Sequence, residues 1–377
     1  MLENKKILLV VGSLNQGGAE FQLLALARLL QSRGLNVEVF ALTDYDYFLP
    51  YVKKHQILYS CVENKGSNLY RVRKAVSVIK SKKPDLVISY IKKVSQVAML
   101  AKIYSGFKFK LIISERTSLI RPWHDLFYFN LANIADKITV NSIPKLNYIR
   151  RKFFLLRNKI VFMPNIIDLD KFLNVQRKTG DEGVVRLSFV GRISPEKNLL
   201  NLIKAVAHVA AGGKNIRLAL YGAANSKAYM ESLVALVAEL KLETIVSFNG
   251  PTKEVADIYK NTDLLCLVSI FEGFSNVLSE AISCGIPVVA SSIEENRFLV
   301  EDGINGFLAE PADHKSIAAA IDKFLSLGSE EVQAMSNENK QKAIAVFDEE
   351  KIYQRYLNIF DEIGFVKIGV QAKQLIL

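Results

Sequence analysis

The sequence predicts two doubly wound α/β domains, each built on a largely parallel sheet. The chain has 377 residues, which is longer than a typical single domain. Apolar runs with strand character alternate with helical stretches along the whole chain, as they do in successive βαβ units. Half of the residues are hydrophobic. The chain therefore has enough apolar side chains for two substantial cores.

The first predicted βαβ unit has strands at residues 7–11 and 37–42 and a helix at 19–33. Gly17 and Gly18 lie in the turn before the helix, which is where βαβ units usually approach phosphates. A plain tight turn is the alternative. The first apolar run is too short for a signal peptide, and no run of about 18 apolar residues predicts a membrane-spanning helix.

The rest of the first half continues the alternation, with strands expected at 86–89 and 111–113. Ser114-Glu115-Arg116 follows the second of these strands, at the carboxyl edge where α/β sheets bind ligands. Residues 148–157 interleave basic and bulky apolar side chains. Such a mixture suits shallow binding at a membrane surface, although core packing could also explain the apolar residues.

The second domain is expected to follow a polar linker at 174–184. A strand at 187–190 precedes Gly191 and Arg192, and Lys197 follows shortly after. Two cations at the carboxyl end of a strand are suited to neutralise a leaving diphosphate without a metal. Further strands at 218–221 and 246–249 end at the same edge of the sheet.

A strand, a helix and a second strand are predicted between residues 264 and 291. The strand core is 264–268, and residues 270–271 close it. The helix covers 276–283, because Ser275 is a favourable N-cap and Gly285 a favourable stop. The next strand is 288–290.

This predicted helix begins just beyond a strand end, so its free N–H groups favour an anion. Glu272 precedes the helix and Glu280 lies within it, with seven residues between them. Two acids beside an anion site suit a ligand with a diphosphate between two polyol groups, such as a nucleotide-sugar. Ordinary surface glutamates are the alternative.

The net charge of +11 is unevenly distributed along the chain. Residues 1–170 contain 27 Lys and Arg against 12 Asp and Glu, whereas residues 171–377 contain 22 against 26. The basic half predicts an anionic partner. No zinc-finger, RNP or basic-zipper pattern accompanies the charge, so an anionic membrane surface or lipid carrier is favoured over nucleic acid. The three cysteines lie far apart, as expected in a reducing cytoplasm.

The segment from Glu272 to Glu280 resembles the E-x7-E motif of the retaining glycosyltransferases of family 4. Three further segments resemble that family, namely Gly-Gly-Ala-Glu at 17–20, Ser-Glu-Arg at 114–116 and the Gly-Arg-x-x-x-Glu-Lys signature at 191–197. The resemblance covers nearly the whole chain. It implies the GT-B fold, in which two Rossmann-like doubly wound domains face each other across a cleft.

The resemblance also implies domain limits. Residues 1–165 would form the acceptor-side domain and residues 166–349 the donor-binding domain. A final helix at about 350–377 would pack back onto the first domain. Its apolar face is expected to contain Ile352, Tyr356, Ile359, Phe360 and Ile363.

The site residues implied by the resemblance fall into three groups. The catalytic residues would be Arg192, Lys197, Glu272 and Glu115. The acceptor side would contain Glu115, Arg116 and Arg121. The donor site would contain Gly17, Gly18, Arg192, Lys197, Glu272, Gly273, Phe274, Ser275, Asn276, Val277, Leu278 and Glu280, with Asn249 and Gly250 near the base.

The implied reaction is the retaining transfer of a sugar, for example an amino sugar, from a UDP-sugar. The acceptor would be a saccharide or an undecaprenyl-diphosphate-linked glycan, in bacterial O-antigen, capsule or other surface polysaccharide synthesis. The enzyme would be cytoplasmic and peripheral on the inner face of the plasma membrane, with no metal and no nucleic acid bound. The D-x-D sequences at 44–46 and 168–170 are attributed to chance. A nucleotide-sugar epimerase of the same fold and a non-catalytic nucleotide-sugar-binding protein remain as alternatives.

Overall fold

The computed structural model describes residues 5–62, 67–106, 108–117, 120–176, 183–252 and 254–366. The chain divides into two compact units. One contains the described residues up to Ile166 and those from Glu349 onward, and the other spans Ile167–Asp348. Residues 177–182 of the expected linker and 367–377 of the expected final helix lie outside the described residues. The donor and acceptor roles of the two units stay predictions.

The first unit is built on a parallel seven-stranded sheet with strand order β3-β2-β1-β4-β5-β6-β7. Its elements are β1 Lys6–Val11, α1 Gly18–Ser32, β2 Asn36–Ala41, α2 Leu49–Lys54, β3 Leu58–Cys61, α3 Asn68–Lys82, β4 Leu86–Tyr90, α4 Lys92–Tyr104, β5 Lys110–Glu115, α5 Pro122–Leu131, β6 Lys137–Val140, α6 Ile143–Lys152 and β7 Ile160–Phe162. The continuous apolar runs of the central strands are typical of parallel strands that are covered on both faces.

The second unit is built on a parallel six-stranded sheet with strand order β10-β9-β8-β11-β12-β13. Its elements are α7 Leu169–Leu173, β8 Val185–Val190, α8 Leu199–Ala211, β9 Ile216–Tyr221, α9 Lys227–Glu239, β10 Val246–Gly250, α10 Val255–Lys260, β11 Leu264–Leu267, α11 Asn276–Ser283, β12 Val288–Ser291, α12 Glu294–Arg297, β13 Gly306–Ala309, α13 His314–Leu325 and α14 Ser329–Phe347. The two parallel sheets confirm the predicted doubly wound α/β class.

The last described helix, α15 (Glu349–Glu362), belongs to the first unit. Ile352, Tyr356, Ile359, Phe360 and Ile363 are all buried, in the same core as side chains of α1, β1 and β2. The Tyr356 hydroxyl also lies 3.1 Å from that of Tyr90 on β4. The predicted apolar face of this helix is confirmed, because the spacing of these residues follows the helical repeat.

Two predictions about strand ends were wrong. Residues 270–271 do not close β11, which ends at Leu267, because the Ile270 N–H leaves the sheet and donates to the carbonyl of Glu196 at 2.9 Å. Ser114 and Glu115 do not follow β5 but form its last two residues, paired with Thr139 and Val140 of β6. The extra length of β5 places the side chain of Glu115 inside the unit instead of in a turn.

Candidate functional site

The carboxyl edge of the second sheet is closely packed at its first two strand ends. Gly191 follows β8 with φ of +150° and Gly222 follows β9 with φ of +151°. A Cβ atom at Gly222 would lie 1.7 Å from the carbonyl oxygen of Gly191, so only glycine fits there. This close approach fixes the backbone from which Arg192 and Lys197 extend.

Lys197 ends a 3₁₀ turn at Pro195–Lys197, and Asn198 then adopts the left-handed conformation with φ of +60°. The Asn198 side chain is buried and donates to the carbonyls of Val268 and Pro311 at 3.0 and 2.7 Å. It therefore ties the Lys197 turn to the end of β11. The only local signal for this residue in the sequence is that asparagine tolerates the left-handed conformation better than most residues.

The structure brings two predicted site residues into direct contact. The Lys197 Nζ lies 2.5 Å from Oε1 of Glu272, and the Ser269 hydroxyl donates to the same oxygen at 2.7 Å. Both charged side chains are largely buried, with 14% and 11% of their surfaces exposed. Arg192 differs, because its side chain is mostly exposed and meets Glu196 only at 3.8 Å. The two predicted cations are therefore not equivalent, and Lys197 is the more fixed of the two.

The N-terminus of α11 forms as predicted. The Ser275 hydroxyl accepts from the Leu278 N–H at 3.2 Å, which confirms the N-cap. The Phe274 ring packs against Phe298 and Phe347, with centroids 6.0 Å apart in each case, and the Leu278 side chain is buried. These apolar side chains hold the helix start on the core. Any contact of the stretch 273–278 with an anion would therefore come from backbone amides other than that of Leu278, and not from the side chains of Phe274 or Leu278.

Glu280 lies on α11 and pairs with a tyrosine of α10. The Tyr259 hydroxyl donates to Oε2 of Glu280 at 2.8 Å and lies 3.3 Å from the carbonyl of Val277. Burial raises the pKa of the Glu280 carboxyl to about 7, although the hydrogen bond from Tyr259 opposes the shift. Tyr259 was not among the predicted site residues. This second carboxylate is oriented and half-buried, and its pKa lies near neutrality.

The raised pKa of Glu280 predicts a stability difference that depends on pH. The pKa of Glu280 is about 7 in the folded state and about 4.5 in the unfolded state, so protonation of Glu280 stabilises the fold. This contribution is complete below about pH 4.5 and is lost as the pH rises through about 7. A Glu280→Gln variant should therefore have the same free energy of unfolding as the wild type near pH 4.5. At pH 8 it should be more stable than the wild type by roughly 2–3 kcal/mol. Unfolding curves at both pH values, with the exposed Glu239→Gln as control, would measure this. A stability difference between Glu280→Gln and the wild type that does not change with pH would contradict the raised pKa.

The predicted base-side residues lie at the end of β10. Asn249 is exposed, and its amide nitrogen donates to the Ser247 hydroxyl at 3.0 Å. Gly250 has φ of +67°, and its carbonyl accepts from the Gly222 N–H at 2.8 Å. Both residues lie at the same sheet edge as Gly191. A contact with a base stays a prediction.

The predicted glycine turn of the first unit begins α1. Gly17 is the N-cap of the helix, and Gly18 is its first residue. A Cβ atom at Gly17 would lie 2.1 Å from a carboxylate oxygen of Glu20. Burial raises the pKa of that carboxyl. Gly17 therefore leaves room for Glu20 to fold back over the helix start, and a phosphate contact here stays a prediction.

Glu115 lies in a buried charge cluster formed by Lys92, Glu115, Asp125 and Lys145. Lys145 and Asp125 are both fully buried, with Nζ 2.7 Å from Oδ2. Lys92 bridges the two acids, since it pairs with Asp125 and lies 3.5 Å from Glu115. Burial raises the pKa of Glu115 to about 6, and Lys92 opposes the shift. Sequence analysis missed the other three members of this charge cluster.

The other two predicted acceptor-side residues are already bonded within the first unit. The Arg116 guanidinium donates to Ser114, Asn165 and the Tyr90 hydroxyl, and it stacks on the Tyr90 ring at 4.3 Å. The backbone N–H of Arg121 lies 3.3 Å from Oδ2 of Asp125, and its side chain is exposed. Glu115 therefore faces Lys92, whereas Arg116 faces Tyr90.

No group of three or more His, Cys, Asp or Glu side chains among the described residues is arranged to hold a metal ion. Among the helices of the described part of the chain, none combines the length and the apolar character needed to cross a membrane.

Comparison with known proteins identifies the family. Residues 16–171 match the family model described as Glycosyltransferase Family 4, and residues 171–342 match that of Glycosyl transferases group 1. The chain is 25% identical over 373 residues to a Campylobacter jejuni protein, GalNAc-α-(1→4)-GalNAc-α-(1→3)-diNAcBac-PP-undecaprenol α-1,4-N-acetyl-D-galactosaminyltransferase. That match covers 95% of this chain and 99% of the relative.

A second Campylobacter jejuni relative, N-acetylgalactosamine-N,N'-diacetylbacillosaminyl-diphospho-undecaprenol 4-α-N-acetylgalactosaminyltransferase, is 27% identical over 71% of this chain and 74% of its own length. Among solved structures, Anabaena HepE in complex with UDP and glucose matches with a TM-score of 0.82 and 24% identity, over 95% of this chain and all of the other. That likeness establishes the fold. The chain belongs to the glycosyltransferases of family 4 and has the GT-B fold.

Proposed function

We propose that this chain is a retaining glycosyltransferase that moves a sugar from a UDP-sugar to a lipid-linked saccharide. The observation that carries the proposal is the pair of oriented carboxylates on one loop and helix. Glu272 is held by Lys197 and Ser269 before α11, and Glu280 is held by Tyr259 within it. The helix start between them offers amides to a diphosphate, so a donor would meet an acid on either side of its phosphates.

The proposed roles follow from this geometry. Glu280 accepts hydrogen bonds from the ribose hydroxyls, and Glu272 contacts the donor sugar. Lys197, the backbone amides at 275–277 and the exposed Arg192 stabilise the negative charge that develops on the leaving diphosphate. These groups supply the charge compensation that a metal provides elsewhere, so we propose that the reaction needs no metal.

The proposed chemical step is a substitution on one face of the sugar. The bond between the anomeric carbon and the UDP oxygen breaks, and a bond from the acceptor oxygen to that carbon forms on the same side. The proton of the acceptor hydroxyl passes to the leaving phosphate oxygen. Configuration at the anomeric carbon is retained, and the products are UDP and the extended glycan.

The acceptor part of the proposal is supported by the two Campylobacter relatives, whose names specify undecaprenol-linked saccharides as acceptors. We propose an undecaprenyl-diphosphate-linked glycan of a bacterial surface polysaccharide as the acceptor, and an amino sugar as the transferred group. Such an acceptor requires the enzyme to work at the inner face of the plasma membrane. The excess of cations in residues 1–170 favours that location.

A nucleotide screen tests the donor assignment first. The melting temperature is measured with UDP, GDP, ADP and dTDP, each with and without Mg²⁺. We expect UDP alone to stabilise the protein, by about 2.7 kcal/mol at a hundredfold excess over its dissociation constant, whether or not Mg²⁺ is present. A UDP effect that is lost in Glu280→Ala but kept in the exposed Glu239→Ala would locate the ligand. Stabilisation by none of the four nucleotides would contradict the proposal.

Transfer itself is tested with UDP-sugars and a polyprenyl-diphosphate-linked saccharide. We expect a product with the anomeric configuration of the donor, read by NMR. Release of a free epimerised sugar without acceptor would instead favour an epimerase. Binding of UDP with neither transfer nor hydrolysis would favour a non-catalytic binding protein.

A further inference from the structure

Helix α5 (Pro122–Leu131) carries large apolar side chains on its exposed face as well as on its buried face, where Tyr128 and Phe129 lie. Trp123 and Phe127 are 79% and 77% exposed, and Leu126 is also exposed. These three residues share one helix face, since they are spaced by three and four positions. The single carboxylate of the helix, Asp125, is fully buried on the other side.

The exposure of this apolar face is fixed by the buried ion pair. Asp125 binds Lys145 of α6 at 2.7 Å and also pairs with Lys92 of α4. Rotating α5 to bury Trp123 and Phe127 would draw Asp125 away from both cations and would also bring the buried Tyr128 and Phe129 toward solvent. The charge cluster therefore holds Trp123 and Phe127 toward the solvent.

A second exposed apolar pair follows α6. The 3₁₀ turn Phe154–Leu156 exposes the side chains of Phe154 and Leu155, each by 71%, while Leu156 is buried. This turn neighbours α5, because the rings of Phe153 and Phe129 pack with centroids 5.0 Å apart in the same core. Isolated exposed apolar residues are ordinary, but two neighbouring elements that both point large apolar side chains outward indicate a binding surface.

Cations surround the second pair. The segment 150–157 contains Arg150, Arg151, Lys152 and Arg157, all exposed, and no acidic residue. The Arg157 guanidinium lies 4.9 Å from the centre of the Phe154 ring, and it donates to the carbonyl of Arg150 at 2.8 Å. Positive charge and apolar side chains are thus interleaved within one short stretch, which is the composition that suits a negatively charged bilayer surface.

We propose that the outer faces of α5 and of the Phe154–Leu156 turn form one surface through which the chain binds an anionic lipid bilayer. The charge argues against a second copy of this chain as the occupant, because a symmetric contact would bring the same cations together. The inference rests on the proposed function in one respect, since a lipid-linked acceptor requires a membrane. It adds the surface that meets that membrane. The α5 half of this surface was not expected from the sequence.

Trp123 is the only tryptophan of the chain, so it reports directly on this surface. The full-length protein is titrated with vesicles of phosphatidylcholine, with and without phosphatidylglycerol. We expect a blue shift of the emission with the anionic vesicles, quenching by lipids brominated on their acyl chains, and weakening of both effects by high salt. No blue shift with anionic vesicles would overturn the inference. A blue shift that appears without vesicles as the protein is concentrated would assign the surface to self-association instead.

A matched pair of variants locates the contact. Leu155→Ser changes a residue on the proposed surface. Leu58→Ser is the control, because Leu58 is also an exposed leucine (62%) but lies on β3, the edge strand at the far side of the same sheet. We expect Leu155→Ser to weaken vesicle binding by roughly tenfold or more and Leu58→Ser to leave it unchanged. Both variants should retain the wild-type circular dichroism. Equal vesicle binding by the two variants would overturn the proposed surface. It would leave the donor assignment untouched, because the UDP screen contains no lipid and tests that assignment separately.

Discussion

Replacing Lys197 with alanine will lower kcat/KM for sugar transfer by roughly a hundredfold or more. Lys197 is the better fixed of the two cations at the end of β8, because it is largely buried and bonded to Glu272. Its loss removes positive charge where the leaving diphosphate develops negative charge, and it also leaves Glu272 without its cation. Steady-state kinetics with the UDP-sugar selected by the nucleotide screen would measure the effect. The matched control is Lys260→Ala, which removes an exposed lysine paired with Asp257. Near-normal turnover in Lys197→Ala would remove the basis of the proposed mechanism.

A double-mutant cycle separates the two roles of Lys197. If the lysine acts only by positioning Glu272, then Lys197→Ala will have no further effect in a Glu272→Gln background. If it also stabilises the leaving group, the second substitution will lower kcat again. We expect the second result, with a clear deviation from additivity because the two side chains touch. The same variants titrated with UDP would show how much of the effect lies in binding.

Replacing Asp125 with alanine will reduce the free energy of unfolding by about 3–5 kcal/mol. Burial alone would raise the pKa of Asp125, but the hydrogen bonds from Lys145 and Lys92 outweigh it and lower the pKa. The variant leaves the fully buried Lys145 without its carboxylate. Urea unfolding followed by far-UV circular dichroism would measure the loss. The control is Asp257→Ala, whose ion pair with Lys260 is exposed and should contribute no more than about 1 kcal/mol.

A paired replacement tests the reason for this loss. Asp125→Leu combined with Lys145→Met removes both charges and keeps the volume apolar. We expect the double variant to be more stable than Asp125→Ala, because it leaves no unpaired charge between the two residues. If the double variant is equally unstable, the loss would come from packing of α5 and not from the ion pair.

The parts of the site that could be predicted from the sequence are those set by local rules. The helix α11 runs over the predicted residues 276–283, because Ser275 at one end and Gly285 at the other act on their own neighbours. Glu280 is placed by its position within this helix, and Glu272 lies in the segment just before it. The wrong predictions lie at strand ends, where the Ile270 N–H binds Glu196, far away in sequence.

The parts that could not be predicted depend on partners distant in sequence. Tyr259 meets Glu280 from another helix, and Asn198 joins Lys197 to two separate loops. The charge cluster draws its members from α4, β5, α5 and α6, and no local pattern marks any of them. The spacing of Trp123, Leu126 and Phe127 reads as a core-facing stripe. It proves to be exposed, because Asp125, Tyr128 and Phe129 occupy the buried side of the helix.

The placement of α15 has a consequence for how the protein is made. The first unit is discontinuous in sequence, since its core is completed by a helix that follows the whole of Ile167–Asp348. The seven strands of this unit are therefore synthesised well before Ile352, Tyr356 and Phe360, whose side chains complete its core. During that interval the nascent chain presents a bare apolar surface, which is the condition under which chaperones bind and aggregation begins. The domain that is synthesised first is thus the last to finish folding.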